Sequence, residues 1–195
     1  MIDYLVYHYC MDDFNDVGFG CSYRNTQTIL SAVKKYYKQD TRIPNVKEIF
    51  TYFNKDYQQK IIKGKTNDLW IEPYQIYQYL KNIYKIKGRN LIYFIRDDDV
   101  TKILKTDITV YFPDSIFSKK DFYELLQILQ NHFKKSKLPI VIDNGVYSYC
   151  IAEIISNHSI LLLDPHTTQS DNTNQIKSIE YLKDSFWMIY LPENY

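Results

Sequence analysis

The sequence predicts an α+β fold in which a helical front half packs on a mainly antiparallel sheet. Apolar residues recur at helical spacing through the front of the chain, and short apolar runs bounded by turn residues dominate the C-terminal part. No internal repeat or linker divides the two. With 195 residues, 45% hydrophobic and 24% charged, the chain has enough material for one well-buried core. A single domain over residues 1–195 is expected.

From Cys21 the apolar residues Tyr23, Ile29, Leu30, Val33 and Tyr37 keep helical spacing. Lys34, Lys35 and Lys38 complement the dipole at the far end, so a helix runs to about Tyr37. Pro44 and Asn45, with Glu48 three residues after the asparagine, announce a second helix through a capping box. It carries Val46, Ile49, Phe50 and Phe53. A third begins near Pro73 and carries Ile76, Tyr79, Leu80 and Ile83. A fourth follows Ser118, with Phe122, Leu125, Leu126, Leu129 and Phe133 as its buried stripe.

Strands are expected over residues 91–95, 108–112 and 139–142, each a short apolar run. Residues 149–155 and 159–163 flank Ser156-Asn157-His158 as a hairpin. Residues 186–191 form a last strand, and the polar stretch 167–174 reads as a surface loop.

Composition removes several function classes. A net charge of +1 leaves no broad electrostatic argument for nucleic acid or an anionic membrane. Cys10, Cys21 and Cys150 are an odd set without CxxC spacing, which suggests neither a disulfide framework nor a zinc site. A reducing compartment, the cytoplasm, is expected. The N-terminus lacks the basic and long apolar regions of a signal peptide, and no run is long enough to span a bilayer. The 20 tyrosines, beside abundant Lys, Asn and Ile, read as coding-genome bias and not as an aromatic binding surface. Asp97-Asp98-Asp99 reads as a solvated turn and the lysine clusters, Lys134-Lys135 and those in 60–65, as solvated faces. Cys10 and Cys150 have no base partner in sequence and read as packing residues.

The chemistry concentrates around Cys21. It follows Gly18-Phe19-Gly20 and opens a helix, where unpaired N–H groups and the dipole favour a thiolate and a lowered thiol pKa. Of the four histidines, His8, His132 and His158 lie near the N-terminus, within an amphipathic helix and in a hairpin turn. His166 closes Leu161-Leu162-Leu163-Asp164-Pro165-His166. An extended backbone there places Asp164 and His166 on one side, two residues apart, and Pro165 biases it that way. A carboxylate at that spacing can orient an imidazole and stabilise the imidazolium. Each signal alone also fits a structural reading: a polar strand exit for Asp-x-His, a packing cysteine for Gly-Cys. Spacing leaves both open.

Tyr7-His8-Tyr9, then Asp16-x-Gly18-Phe19-Gly20-Cys21-Ser22-Tyr23-Arg24-x-x-Gln27-Thr28-Ile29, resembles the signature of the ubiquitin-fold modifier-specific proteases. Ile43-Pro44-x-x-x-Glu48-Ile49, Trp70-Ile71, Pro139-Ile140-Val141-Ile142, Leu163-Asp164-Pro165-His166-Thr167 and Phe186-Trp187…Leu191-Pro192 are similar to that family's later landmarks, in order. The likeness is weakest between about residues 83 and 137. Chain length resembles the short members that consist of the catalytic domain alone.

The resemblance implies a papain-like cysteine protease fold. It makes Cys21 the nucleophile, His166 the general base and later acid, and Asp164 the residue that orients it. It makes Tyr9 a hydroxyl donor to the oxyanion, with the Cys21 N–H as the natural second donor at the helix start. It implies no cofactor and no metal. The expected partner is the ubiquitin-fold modifier, as precursor and as conjugate, with neither nucleic acid nor direct membrane insertion. An adaptor protein is admitted, and the chain is expected to be a monomer. Trp70 either touches the substrate or is buried.

Three departures stand out. Phe19 replaces the family's usual tryptophan. Asn144-Gly145-Val146-Tyr147-Ser148-Tyr149 stands where the family often reads Gly-Gly-Val-x-Ala-His, so a histidine is absent there. Thr168-Gln169 follows Thr167 where a glycine is common. Other readings are a protease for ubiquitin or another ubiquitin-like protein, a non-catalytic module that binds the modifier, and a papain-like transferase or amidase.

Overall fold

Gly20 ends the N-terminal loop and Cys21 opens the first helix of the computed structural model, which describes residues 2–53, 69–93, 116–118, 122–183 and 185–193. Helix α1 (Cys21–Tyr37) is buried at every residue from Cys21 to Val33, although much of that stretch is polar. Buried polar side chains need partners, and these organise the surroundings. Ser31 Oγ accepts the Leu5 N–H (2.8 Å) and Thr28 Oγ1 the Tyr7 N–H (3.0 Å). Gln27 Nε2 donates to the Pro44 carbonyl (2.8 Å), and Asn25 Nδ2 donates to Ser148 Oγ (3.0 Å). The N-terminal segment is thereby strapped along the helix, and the helix is tied to the sheet.

Helix α2 (Val46–Phe53) starts on the expected capping box, with Glu48 N–H donating to Asn45 Oδ1 and Asn45 N–H to Glu48 Oε2, both 2.9 Å. Helix α3 (Pro73–Tyr84) begins at the proline, and α4 (Phe122–Lys135) buries Leu125, Leu129 and His132.

The strands are β1 (Lys87–Tyr93), β2 (Ile116–Ser118), β3 (Ile140–Asp143), β4 (Ser148–Ser156), β5 (Ser159–Leu163), β6 (Asn174–Ser178) and β7 (Trp187–Glu193). They form one sheet in the order β2-β1-β7-β3-β4-β5-β6. Every neighbouring pair is antiparallel except β1 with β2. Side chains alternate between two covered faces. Val141, Cys150, Leu163 and Tyr190 join the cluster under α1, α2 and α3, whereas Ile140, Ile142, Leu162 and Ile189 join the one under α4. The fold is α+β, as expected.

Several boundaries differ from the sequence reading. β1 begins at Lys87, ahead of its apolar run, because backbone pairing with β7 extends over Lys87, Gly88, Arg89 and Asn90. β6 and the short parallel β2 were not foreseen. Cys10 is exposed, not a packing residue: it sits in a left-handed conformation (φ 61°) at the entry to a short 3-10 turn, Met11–Asp13. Cys150 is buried, as expected. Phe19 is buried and meets Phe14 and Phe50 edge-on, so the smaller aromatic is fully packed. The strand at 108–112, Asp97-Asp98-Asp99 and the lysines of 60–65 lie outside the described residues. No helix among the described residues is long and apolar enough to cross a membrane.

Candidate active site

The loop that delivers Cys21 is built on one buried ion pair. Arg24, one turn into α1, reaches back so that Nε donates to Asp16 Oδ2 (2.8 Å) and Nη2 to Asp16 Oδ1 (2.9 Å). Both side chains are fully buried, and the fork geometry holds the carboxylate in a fixed plane. Asp16 then accepts the Cys10 N–H on Oδ1 (2.8 Å), and its carbonyl accepts the Gly20 N–H (2.8 Å). Gly20 lies so close to this carboxylate that a Cβ would fall 1.9 Å from Asp16 Oδ2. The glycine before the nucleophile is there for room.

Tyr9 arrives from the strapped N-terminal segment, and its N–H donates to the Pro165 carbonyl (3.0 Å). The N-terminal segment is thus joined to the turn that carries His166. The Tyr9 ring stands edge-on to the His166 ring (5.5 Å between centroids), while its hydroxyl acts on the Cys21 thiol. Tyr9 touches both chemical groups.

Asp164 and His166 do come together, by a different route from the extended backbone expected. The chain turns after β5, and the His166 N–H donates to Asp164 Oδ1 (2.9 Å), an Asx turn. The same oxygen lies 2.6 Å from His166 Nδ1. Gln175 on β6 donates to Asp164 Oδ2 (2.8 Å) and fixes the carboxylate from its other side. Burial pushes the Asp164 carboxyl up, but the His166 side chain and N–H, with Gln175, outweigh it and leave the group below its ordinary value. His166 Nε2 is buried and has no hydrogen-bond partner among the described residues. Tyr147 and Tyr149 close on the imidazole from other sides, at 5.2 and 5.0 Å. Tyr149, which stands where the family often has histidine, is therefore part of the wall around His166.

The remaining histidines are occupied elsewhere. His8 Nδ1 pairs with the Tyr9 carbonyl (2.9 Å), buried His132 pairs with the Leu138 carbonyl (2.8 Å), and His158 is exposed in the hairpin.

Cys21 corrects one expectation. Its thiol is pushed up to about 12, not lowered. Burial is the main cause, since the residue is 0% exposed, and the Asp143 carboxylate is the next. The N–H groups of Ser148 and Ser22 and the Tyr9 hydroxyl pull the other way without prevailing. A helix start helps a thiolate, but desolvation here outweighs it. A thiolate at this position needs a cation formed alongside it.

Sequence reasoning did not assign roles to Asp16, Arg24, Asp143, Ser148 or Gln175. Asp16 and Arg24 lie inside the cysteine motif, and an acid eight residues before an arginine was the available signal. Gln175 lay beside a stretch taken for loop, and Asp143 ended an apolar strand; neither carries a mark in sequence.

The family model described as Peptidase family C78 matches residues 1–188. Over 97% of the chain, the protein is 27% identical to a "Probable Ufm1-specific protease" of Oryza sativa subsp. japonica, covering 29% of it. It is 26% identical, again over 97% of the chain, to a "Ufm1-specific protease" of Caenorhabditis elegans, covering 31% of that protein. The crystal structure of UfSP from C. elegans superposes with a TM-score of 0.67 over 98% of the chain and 33% of the other, at 24% identity. The shared fold is papain-like. The chain thus spans about a third of the length of these relatives. A match that runs from the first residue to the last strand, and takes in Tyr9, Cys21, Asp164 and His166, places the chain in Peptidase family C78.

Proposed function

We propose that this chain is a thiol protease for the ubiquitin-fold modifier, with Cys21 as nucleophile, His166 as base and then acid, Asp164 as its orienting partner and Tyr9 as an oxyanion donor. The observation that carries the reading is the Asp164–His166 pair. One ring nitrogen is fixed at 2.6 Å, the other has no hydrogen-bond partner among the described residues, and Tyr9 links the imidazole to the thiol.

Burial makes a lone thiolate at Cys21 unfavourable, so the proton passes to His166 Nε2 and the two charges form as a pair. Asp164, kept ionised by its hydrogen bonds, stabilises the imidazolium through Nδ1. The sulfur attacks the carbonyl of the modifier's terminal glycine. The Tyr9 hydroxyl and the Cys21 N–H at the helix start take up the negative charge on oxygen. His166 returns its proton to the leaving amine, and the C–N bond breaks to leave a thioester. Water, deprotonated by His166, then hydrolyses that thioester and regenerates the thiol. No cofactor is needed for any step.

A precursor cut after Val-Gly and an isopeptide on a lysine side chain both present a carbonyl after glycine, so one site serves maturation and deconjugation. A channel that admits only a residue without a side chain accounts for the selectivity. The relatives' names, Ufm1-specific protease, support this substrate. We place the chain in the cytoplasm as a monomeric catalytic domain that engages precursor and conjugates and admits an adaptor. Its three free cysteines agree with a reducing compartment. A modifier probe with a C-terminal electrophile is expected to label the protein, and a ubiquitin probe is not. Preferential labelling by the ubiquitin probe moves the substrate; reversible binding of the modifier without an adduct makes the chain a docking module.

A further inference from the structure

Asp143 is a carboxylate that acts on the Cys21 thiol and that the proposed reaction does not use. It ends β3, is 0% exposed and has no ion-pair partner among the described residues. Its Oδ1 accepts the Gly145 N–H (2.7 Å), which shapes the β3–β4 turn, and Ser22 Oγ, in the first turn of α1, donates to Oδ2 (3.5 Å). In the sheet Asp143 stands directly opposite Ser148. The Asn144 N–H closes the turn on the Tyr147 carbonyl (3.1 Å), which makes Asp143 and Ser148 a non-hydrogen-bonded pair with closely approaching side chains. The Ser148 N–H therefore points away from β3, and it acts on the Cys21 thiol. Ser148 Oγ meanwhile accepts from Asn25 on α1.

We propose that Asp143 is a positioning residue for Cys21: its carboxyl ties the first turn of α1 to the β3–β4 turn, holds the Ser148 N–H on the thiol, and acts on that thiol through its own charge. The inference rests on the proposed role of Cys21 as nucleophile. Burial pushes the carboxyl up to about 7; the Gly145 N–H, the Ser148 hydroxyl and the Trp70 indole oppose the shift, and the Glu72 charge adds to it. Among the described residues, the titratable groups facing Asp143 are Cys21 on α1 and Glu72 in the lead-in to α3, both of which carry negative charge when ionised. Below about pH 7 the neutral carboxyl clasps without opposing the thiolate. Above it, the carboxylate disfavours a second negative charge at Cys21.

The test follows alkylation of Cys21 by iodoacetamide against pH, resolved by peptide mass spectrometry so that Cys10 is counted separately. Asp143→Asn keeps the shape and removes the charge. The midpoint for Cys21 is expected to fall by about one pH unit, a roughly tenfold gain in thiolate well above pH 7, where the wild-type carboxyl is ionised. Ser148→Ala removes the hydroxyl bridge and keeps the charge, and is expected to slow alkylation several-fold. A midpoint that stays at the wild-type value in Asp143→Asn overturns the role of the charge. If that variant does not fold, an unchanged rate in Ser148→Ala overturns the clasp. Alkylation involves no modifier, so a protein that behaves as expected here but ignores the modifier probe contradicts the substrate assignment alone.

Discussion

Two aspartates flank the candidate site, and their surroundings drive them in opposite directions. Asp164 is partly exposed and meets an imidazole, a backbone N–H and the Gln175 amide, which together hold it below its ordinary value. Asp143 is sealed from solvent and faces no cation among the described residues, and burial carries it to about 7. Asp143 is the last residue of β3 and Asp164 the first after β5, at the C-terminal ends of two strands that run the same way on either side of β4. Residue type and strand position are shared; partners are not. A carboxyl in this fold takes its role from what can compensate its charge.

The comparison breaks first at Asp164. Asp164→Asn is expected to lower kcat for cleavage of the precursor by about 10³-fold with little change in KM, because an amide cannot stabilise the imidazolium. A loss of only a few-fold makes Asp164 a structural strand exit and removes the contrast. At Asp143 the expected effect is smaller and lies in stability. A carboxyl whose folded pKa is raised loses stability as pH climbs from the ordinary carboxylate range to about 7, and loses no more beyond it. Asp143→Asn should therefore melt above the wild type by a margin that opens between pH 4 and pH 7 and then stays flat, worth a few kcal/mol at most. Asp164 has the opposite sign: its contribution is present at neutral pH and lost as pH falls through its lowered pKa. Melting curves across pH separate the two, and a margin in Asp143→Asn that does not vary with pH contradicts the buried, uncompensated carboxyl.

Much of the frame was legible because it is written locally. The capping box at Asn45 and Glu48, the proline at the head of α3 and the Cys21 helix start are short-range signals that the structure keeps. The four residues brought together at the site, Tyr9, Cys21, Asp164 and His166, were also singled out in sequence. What was not legible depends on distant neighbours. β6 alternates exposed and half-buried residues at a sheet edge and has too few apolar side chains to announce a strand. The Asp164–His166 contact was expected from an extended backbone, but a side-chain hydrogen bond makes a turn instead. The rise of the Cys21 thiol comes from burial beneath elements far away in sequence and from Asp143, more than a hundred residues on. No local pattern encodes that.

These points converge on one thiol, buried, disfavoured as a lone anion, and linked through Tyr9 to an imidazole with one nitrogen fixed and the other without a hydrogen-bond partner among the described residues. Mapping the covalent adduct formed with the modifier probe tests this most directly. The account predicts an adduct on Cys21 that is lost in His166→Ala at neutral pH although the protein still folds. An adduct on exposed Cys10, or one on Cys21 that forms equally fast without His166, would contradict it.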